Sequence, residues 1–122
     1  MDTLGFKQLN ELVIAYAHVN TDSALHYYTA LEQLSSKEDL NSFTKGIIYY
    51  NSANYDSAHH YFQKTIDINE YHPKATYFDG KTYLEEGNIE QVHEHITTLK
   101  TKAQRFNATK LQHQLDNYTN SK

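Results

Sequence analysis

The seventeen residues GIIYYNSANYDSAHHYF, from Gly46 to Phe62, join an apolar and aromatic run to a polar turn, then to an alanine, two histidines and a second aromatic pair. Two readings compete for this stretch: a histidine-bearing aromatic site, or the packing code of a repeated helical unit. Sliding the sequence against itself decides between them, because self-similarity at a fixed period is the signature of stacked units. The turn NYDSA at Asn54–Ala58 has counterparts in NTDSA at Asn20–Ala24 and NIEQV at Asn88–Val92, each 34 residues apart. Ala24, Ala58 and Val92 share this register, as do Tyr28, Phe62 and Ile96, and Leu31, Thr65 and Leu99. Earlier in each unit Leu12, Gly46 and Gly80 recur, followed by Ala15, Tyr49 and Tyr83, and no gap is needed.

Within a unit the apolar spacing is helical. In SALHYYTALEQL, Ala24, Tyr28, Leu31 and Leu34 fall on one face, and Asp22 or Ser23 is expected to cap the exposed amides at its start. Six further segments behave similarly. Four glycines and one proline in 122 residues leave too little turn material for an all-β domain, so the chain reads as all-α.

Composition sets the outer bounds. With 39% hydrophobic residues, 122 residues form one domain, 1–122. Eleven basic against fifteen acidic residues give a net charge of −4, which supplies no field for nucleic acid or an anionic membrane surface. The absence of cysteine removes disulfides, thiolate metal sites and cysteine nucleophiles together. The first nineteen residues, MDTLGFKQLNELVIAYAHV, resemble neither a signal peptide nor a membrane span, so a cytoplasmic location is expected.

On these residues the chain resembles the tetratricopeptide repeat (TPR) family, whose units are helical hairpins of this length. The resemblance implies a right-handed solenoid of three hairpins, with repeats at about 5–38, 39–72 and 73–106, a capping helix at about 107–119 and a loose tail at 120–122. In the second unit Gly46 and Ala58 stand where the two helices cross, Tyr49 and Phe62 fill the space beside them, and Asn54 and Tyr55 occupy the turn. In the third, Pro73 lies near a helix start, where its missing amide costs nothing, and Gly80, Tyr83 and Gly87 follow the family pattern. The first unit departs from it, with Leu12 at the crossing and Thr21 at the turn, as terminal repeats often do. Ser42 and Thr76 replace the family's tryptophan, and the proline after the second helix is missing. Beyond the third unit, Leu111, Leu115 and Tyr118 share one face, as a covering last helix requires.

The resemblance places a partner site on the concave surface formed by the first helix of each unit. Its partner-binding candidates are Leu9, Val13 and Tyr16, preceded by Phe6; then Phe43, Ile47, Tyr50 and Asn51, preceded by Leu40; then Lys74, Tyr77, Lys81 and Leu84, followed by Glu85. Family members that grip a terminal carboxylate use lysine, arginine and asparagine where this chain has Leu9, Val13, Phe43 and Ile47, so an apolar groove for an amphipathic helix or peptide is expected instead. The implied role is a non-enzymatic protein–protein interaction module of adaptor, assembly-factor or chaperone type. The alternatives are a peptide-sensing regulatory module, a homodimeric scaffold, or a groove filled by the chain's own last helix.

Catalytic and metal chemistry find no pattern here. His59 with His60, and His93 with His95, lack the three- or four-residue spacing of ligands on one helix, and HEH at 93–95 is not the zinc-protease pair. The histidines are expected on the outer face. Glu85 and Glu86 read as a solvated pair beside a turn, and Asp56, Asp79 and Glu90 as turn or first-turn acids that complement helix dipoles. No catalytic residue, metal or cofactor is assigned.

Overall fold

In the computed structural model the described residues are 5–17, 19–34 and 37–121, with only the backbone described at 6, 7, 17 and 34. The side chains of Phe6 and Leu34, and the last tail residue Lys122, therefore lie outside the described residues. Among the described residues there are seven helices and no strand: α1 (Phe6–Ala17), α2 (Thr21–Leu34), α3 (Glu38–Asn51), α4 (Tyr55–Ile68), α5 (Ala75–Glu85), α6 (Ile89–Thr101) and α7 (Arg105–Asn120). The all-α expectation holds. The last helix begins two residues before the expected 107 and includes Asn120.

The even helices start in strict register because the same side chain starts each of them. Asn20, Asn54 and Asn88 accept a hydrogen bond through Oδ1 from the backbone N–H of Ser23 (3.0 Å), Ser57 (3.4 Å) and Gln91 (3.3 Å). Each satisfies one of the amides a helix leaves unpaired at its first turn. The cap of α2 is thus Asn20, not Asp22 or Ser23; Asp22, Asp56 and Glu90 sit in the first turn, where they favour the positive helix end. The turns before α4, α6 and α7 are built alike. Ala53, Gly87 and Ala103 adopt positive φ of 60°, 76° and 62°. The next residue's N–H then reaches back to Tyr49, Tyr83 and Leu99 carbonyls at 2.9, 2.9 and 2.8 Å, closing the preceding helix.

Consecutive helices pack as pairs, α1 with α2, α3 with α4 and α5 with α6; each odd helix also touches the next odd helix, and each even helix touches the odd one that follows. Leu9, Val13, Ala24, Tyr28, Leu31 and Ile48 form the core at one end. Tyr77, Leu84, Val92, Ile96, Leu99, Ala108, Leu111 and Leu115 form it at the other. Between them lies an aromatic cluster of Phe43, Phe62, His72 and Phe78, with Phe43 centred 5.7, 4.8 and 5.6 Å from the other three rings. Gly46 is where α3 meets α4 most closely: a Cβ there would lie 2.5 Å from the Phe62 ring. Gly80 does the same for α5, since a Cβ would stand 2.6 Å from the Leu111 side chain and 3.1 Å from that of His95. Tyr49 lies beside the crossing, stacked on Tyr61 at 5.7 Å.

Candidate functional site

The predicted groove residues divide into two groups. Leu9, Val13, Tyr77 and Leu84 are buried, at 5%, 0%, 3% and 8% exposure. Leu9 and Val13 are spent on α2 and α3, Tyr77 and Leu84 on α6 and α7. This corrects the expectation that they line an open apolar groove: in a chain this small, these inward residues of α1 and α5 are needed for the core. Phe43 is half-buried and packs into the central aromatic cluster. Tyr16 is half-buried and stacks on Tyr27 at 5.4 Å.

The second group remains accessible and is gathered on one face. Ile47, Tyr50, Asn51 and Lys81 are half-buried, while Lys74 and Glu85 are exposed, Lys74 as the N-cap residue of α5. The Lys81 ammonium lies over three rings, 5.6 Å from the centre of Tyr50, 5.7 Å from Tyr77 and 5.3 Å from Phe78. Lys110 of α7 stands 5.2 Å from the centre of Tyr77 as well. Electron-rich ring faces hold such cations electrostatically. Gln114 Nε2 donates to the Tyr77 hydroxyl at 2.7 Å, fixing that ring from α7. Burial, with the Glu85 carboxylate next to it, raises the Tyr50 hydroxyl well above the ordinary phenol range, so it stays a neutral donor. Residues from α3, α5 and α7 thus converge on one polar-aromatic surface, to which Lys110 and Gln114 contribute without any signal in the repeat pattern.

Behind this surface α5 carries a feature that the sequence reading misplaced. Asp79 is not a turn acid but sits inside α5 at 0% exposure. His59 of α4 donates through Nδ1 to Oδ1 at 2.7 Å, and His95 of α6 through Nε2 to Oδ2 at 2.8 Å. Gln63 Nε2 adds a third donor at 2.8 Å. The other nitrogens also face acceptors: His59 Nε2 meets Glu86 Oε1, and His95 Nδ1 donates to the Gln91 carbonyl at 2.7 Å. A neutral imidazole has one N–H, so His59 donates to both carboxylates only when doubly protonated. Tyr83 covers the group, its ring centred 3.9 Å from His59 and 5.2 Å from His95.

His59 and His95 are therefore turned inward, contrary to the expectation of an outer-face position, whereas His26, His60 and His93 are exposed. Burial works to raise the Asp79 carboxyl, but the His59 and His95 hydrogen bonds outweigh it and hold the group below its ordinary range. Burial likewise opposes the charge on His59, and Asp79 and Glu86 together raise it above the usual imidazole value. Because the two nitrogens of His59 address different carboxylates, the cluster is a hydrogen-bonded ion network. Among the described residues no three histidine, aspartate or glutamate side chains are placed to hold a metal ion.

The chain matches no family model, no curated protein and no solved structure. The geometry of its own residues is consequently the basis for a functional reading. Among the described residues no helix is long and apolar enough to cross a membrane.

Proposed function

We propose that the chain is a non-enzymatic protein–protein interaction module, a TPR-like right-handed stack of three helical hairpins covered by α7. On this reading it holds a peptide segment of a partner protein against the face of α3, α5 and α7. The 34-residue recurrence of the Asn20, Asn54 and Asn88 caps, and the contact of each odd helix with the next, support the stack.

The observation that carries the binding role is the placement of Lys81. Its ammonium is held over Tyr50, Tyr77 and Phe78, with Lys110 on the same Tyr77 ring. Neither lysine has a carboxylate within ion-pair distance among the described residues. A positioned cation in an aromatic setting meets a partner's carboxylate or carbonyl with little side-chain entropy left to lose. Since Leu9, Val13, Tyr77 and Leu84 are committed to the core, the occupant is an extended peptide reading Tyr50, Asn51 and Lys81 rather than an amphipathic helix in an apolar trough. The role is that of an adaptor, assembly factor or chaperone-type protein.

Affinity capture with the wild type and a Lys81→Glu/Lys110→Glu variant tests this, with a thermal melt to show that the variant is folded. The partner is expected to be recovered with the wild type and lost with the variant. Equal recovery by both overturns the assignment of this face. A homodimer in light scattering that the same variant dissolves would instead make the face self-associating.

A further inference from the structure

A second surface, formed by the loop before α5 and the turn before α7, has the composition of a docking site. Its backbone is firmly held. The loop before α5 and the turn before α7 are cross-tied, because Lys102 Nζ donates to the Glu70 carbonyl at 2.6 Å and Asn107 Nδ2 donates to the Pro73 carbonyl at 2.8 Å. Asn69 Oδ1 accepts from the Tyr71 N–H at 3.2 Å, and the His72 N–H reaches the Asn69 carbonyl at 3.0 Å. On this rigid base two aromatic side chains are left outside: Phe106 is 80% exposed and Tyr71 64%. Both border one open depression of about 390 Å³, whose rim includes Lys102 and Arg105.

The charged side chains that border it are cationic. Lys100, Lys102 and Arg105 fall within six residues, and Arg105 is the only arginine in a chain whose net charge is −4. Lys100 and Arg105 also border the adjoining depression of about 330 Å³. Among the described residues none of the three forms an ion pair with a carboxylate. Glu70, the one acidic residue of the loop, is exposed beside Tyr71, and its backbone carbonyl accepts from Lys102. Two simpler explanations cover part of this: Lys100 complements the C-terminal end of α6, and Lys102 ties the loop. They leave Arg105, Phe106 and Tyr71 without an internal task.

We propose that this surface docks an acidic segment of a partner protein, with an apolar side chain seated between Tyr71 and Phe106 and flanking carboxylates on Lys100 and Arg105. Exposed aromatic rings beside arginine are the residue types that dominate the energetics of protein contacts, and a planar guanidinium suits a bidentate carboxylate. Nucleic acid is disfavoured by the overall negative charge, which repels a phosphate backbone beyond three local cations. The proposal does not depend on the role assigned to Lys81.

The test is fluorescence anisotropy with a labelled peptide of about twelve residues, in which a leucine and a phenylalanine are flanked by glutamates, and a control with lysines in their place. The acidic peptide is expected to bind and the basic one not. Affinity should weaken about tenfold in Phe106→Ala and again in Lys100→Ala/Arg105→Ala, the scale of interface anchors. It should also weaken as salt is raised. Lys102 is left intact because it supports the loop. Absence of binding overturns the proposal, as does binding that survives Phe106→Ala and Lys100→Ala/Arg105→Ala. If binding is instead lost in Lys81→Glu/Lys110→Glu, the peptide occupies the other face, and only the present proposal fails. Equal binding of a thymidine oligonucleotide or of phosphatidylserine vesicles through the same residues overturns the partner class. A dimer dissolved by Phe106→Ala would make a second copy the occupant and also overturn it.

Discussion

The contact between Gly46 and Phe62 makes a prediction whose sign depends on the partner. A Cβ at Gly46 would lie 2.5 Å from Cδ1 and Cε1 of the Phe62 ring, inside any real carbon–carbon contact. Phe62 is fully buried and hemmed in by Phe43 and Phe78, so its ring has nowhere to go. Overpacking of this kind costs about 1 to 3 kcal/mol. Against it stands the gain of about 1 kcal/mol when alanine replaces glycine inside a helix. Gly46→Ala in the wild type is therefore expected to be destabilising by up to about 2 kcal/mol. In a Phe62→Leu background the ring is gone, and the same substitution should stabilise by up to about 1 kcal/mol. The four proteins of this double-mutant cycle, unfolded in urea, should give a coupling energy of about 1 to 3 kcal/mol in favour of the double variant. Additivity within about 0.5 kcal/mol would refute the close crossing of α3 and α4. So would a stabilising Gly46→Ala in the wild type.

Two further outcomes follow from the turns and the ion network. Ala53 holds φ at 60°, a region that costs an L-residue about 1 to 2 kcal/mol; Ala53→Gly removes that strain and loses less through the unfolded chain, so a gain of about 0.5 to 1 kcal/mol should appear in urea melts, and a loss would contradict it. The His59 contribution, from a group raised above its ordinary 6.5, is present below that value and lost as pH rises through the raised one; the Asp79 contribution, from a group lowered below 3.8, is present above 3.8 and lost as pH falls. The difference in melting temperature between the wild type and His59→Gln should accordingly be greatest between those two ordinary values, about pH 4 to 6.5, and shrink toward pH 9; a difference independent of pH would sink the assignment.

How much of this could be read beforehand depended on periodicity. Packing at the Gly46 crossing and the buried positions Ala24, Ala58, Val92, Phe62 and Thr65 were legible because the same steric demand recurs every 34 residues. The cap of α2 is Asn20 rather than the expected Asp22 or Ser23, and the recurrence of Asn20, Asn54 and Asn88 in one register is the sequence signal that marks it. The groove was misjudged because helical spacing identifies an inward face without saying how much of it the core consumes. Asp79, His59 and His95 were opaque for another reason. The repeat has Glu11 and Lys45 at the positions matching Asp79, so no recurrence marks it. Its neighbour Gly80, a residue fixed at a close crossing, was the clue that this part of α5 lies inside.

The need for a buried carboxylate there follows from what α5 lacks. It has only 11 residues, no side-chain cap at Lys74, and a glycine in its middle. Nor does it have a single apolar stripe to set its rotation. Phe78 packs toward Phe43 and Phe62, Gly80 toward His95 and Leu111, and Lys81 over Tyr50. Asp79 supplies the missing constraint. Turning the helix by one residue, about 100°, would carry the carboxylate away from both imidazoles and strand a buried charge. Breaking a buried pair in that way costs about 3 to 5 kcal/mol. Lys81 lies two residues on, about 200° further round the same helix, so the network that fixes Asp79 also fixes the lysine over its three rings. Asp79→Asn should therefore weaken the peptide binding proposed at Lys81 from the opposite side of α5, and unchanged affinity in a folded variant would separate the two.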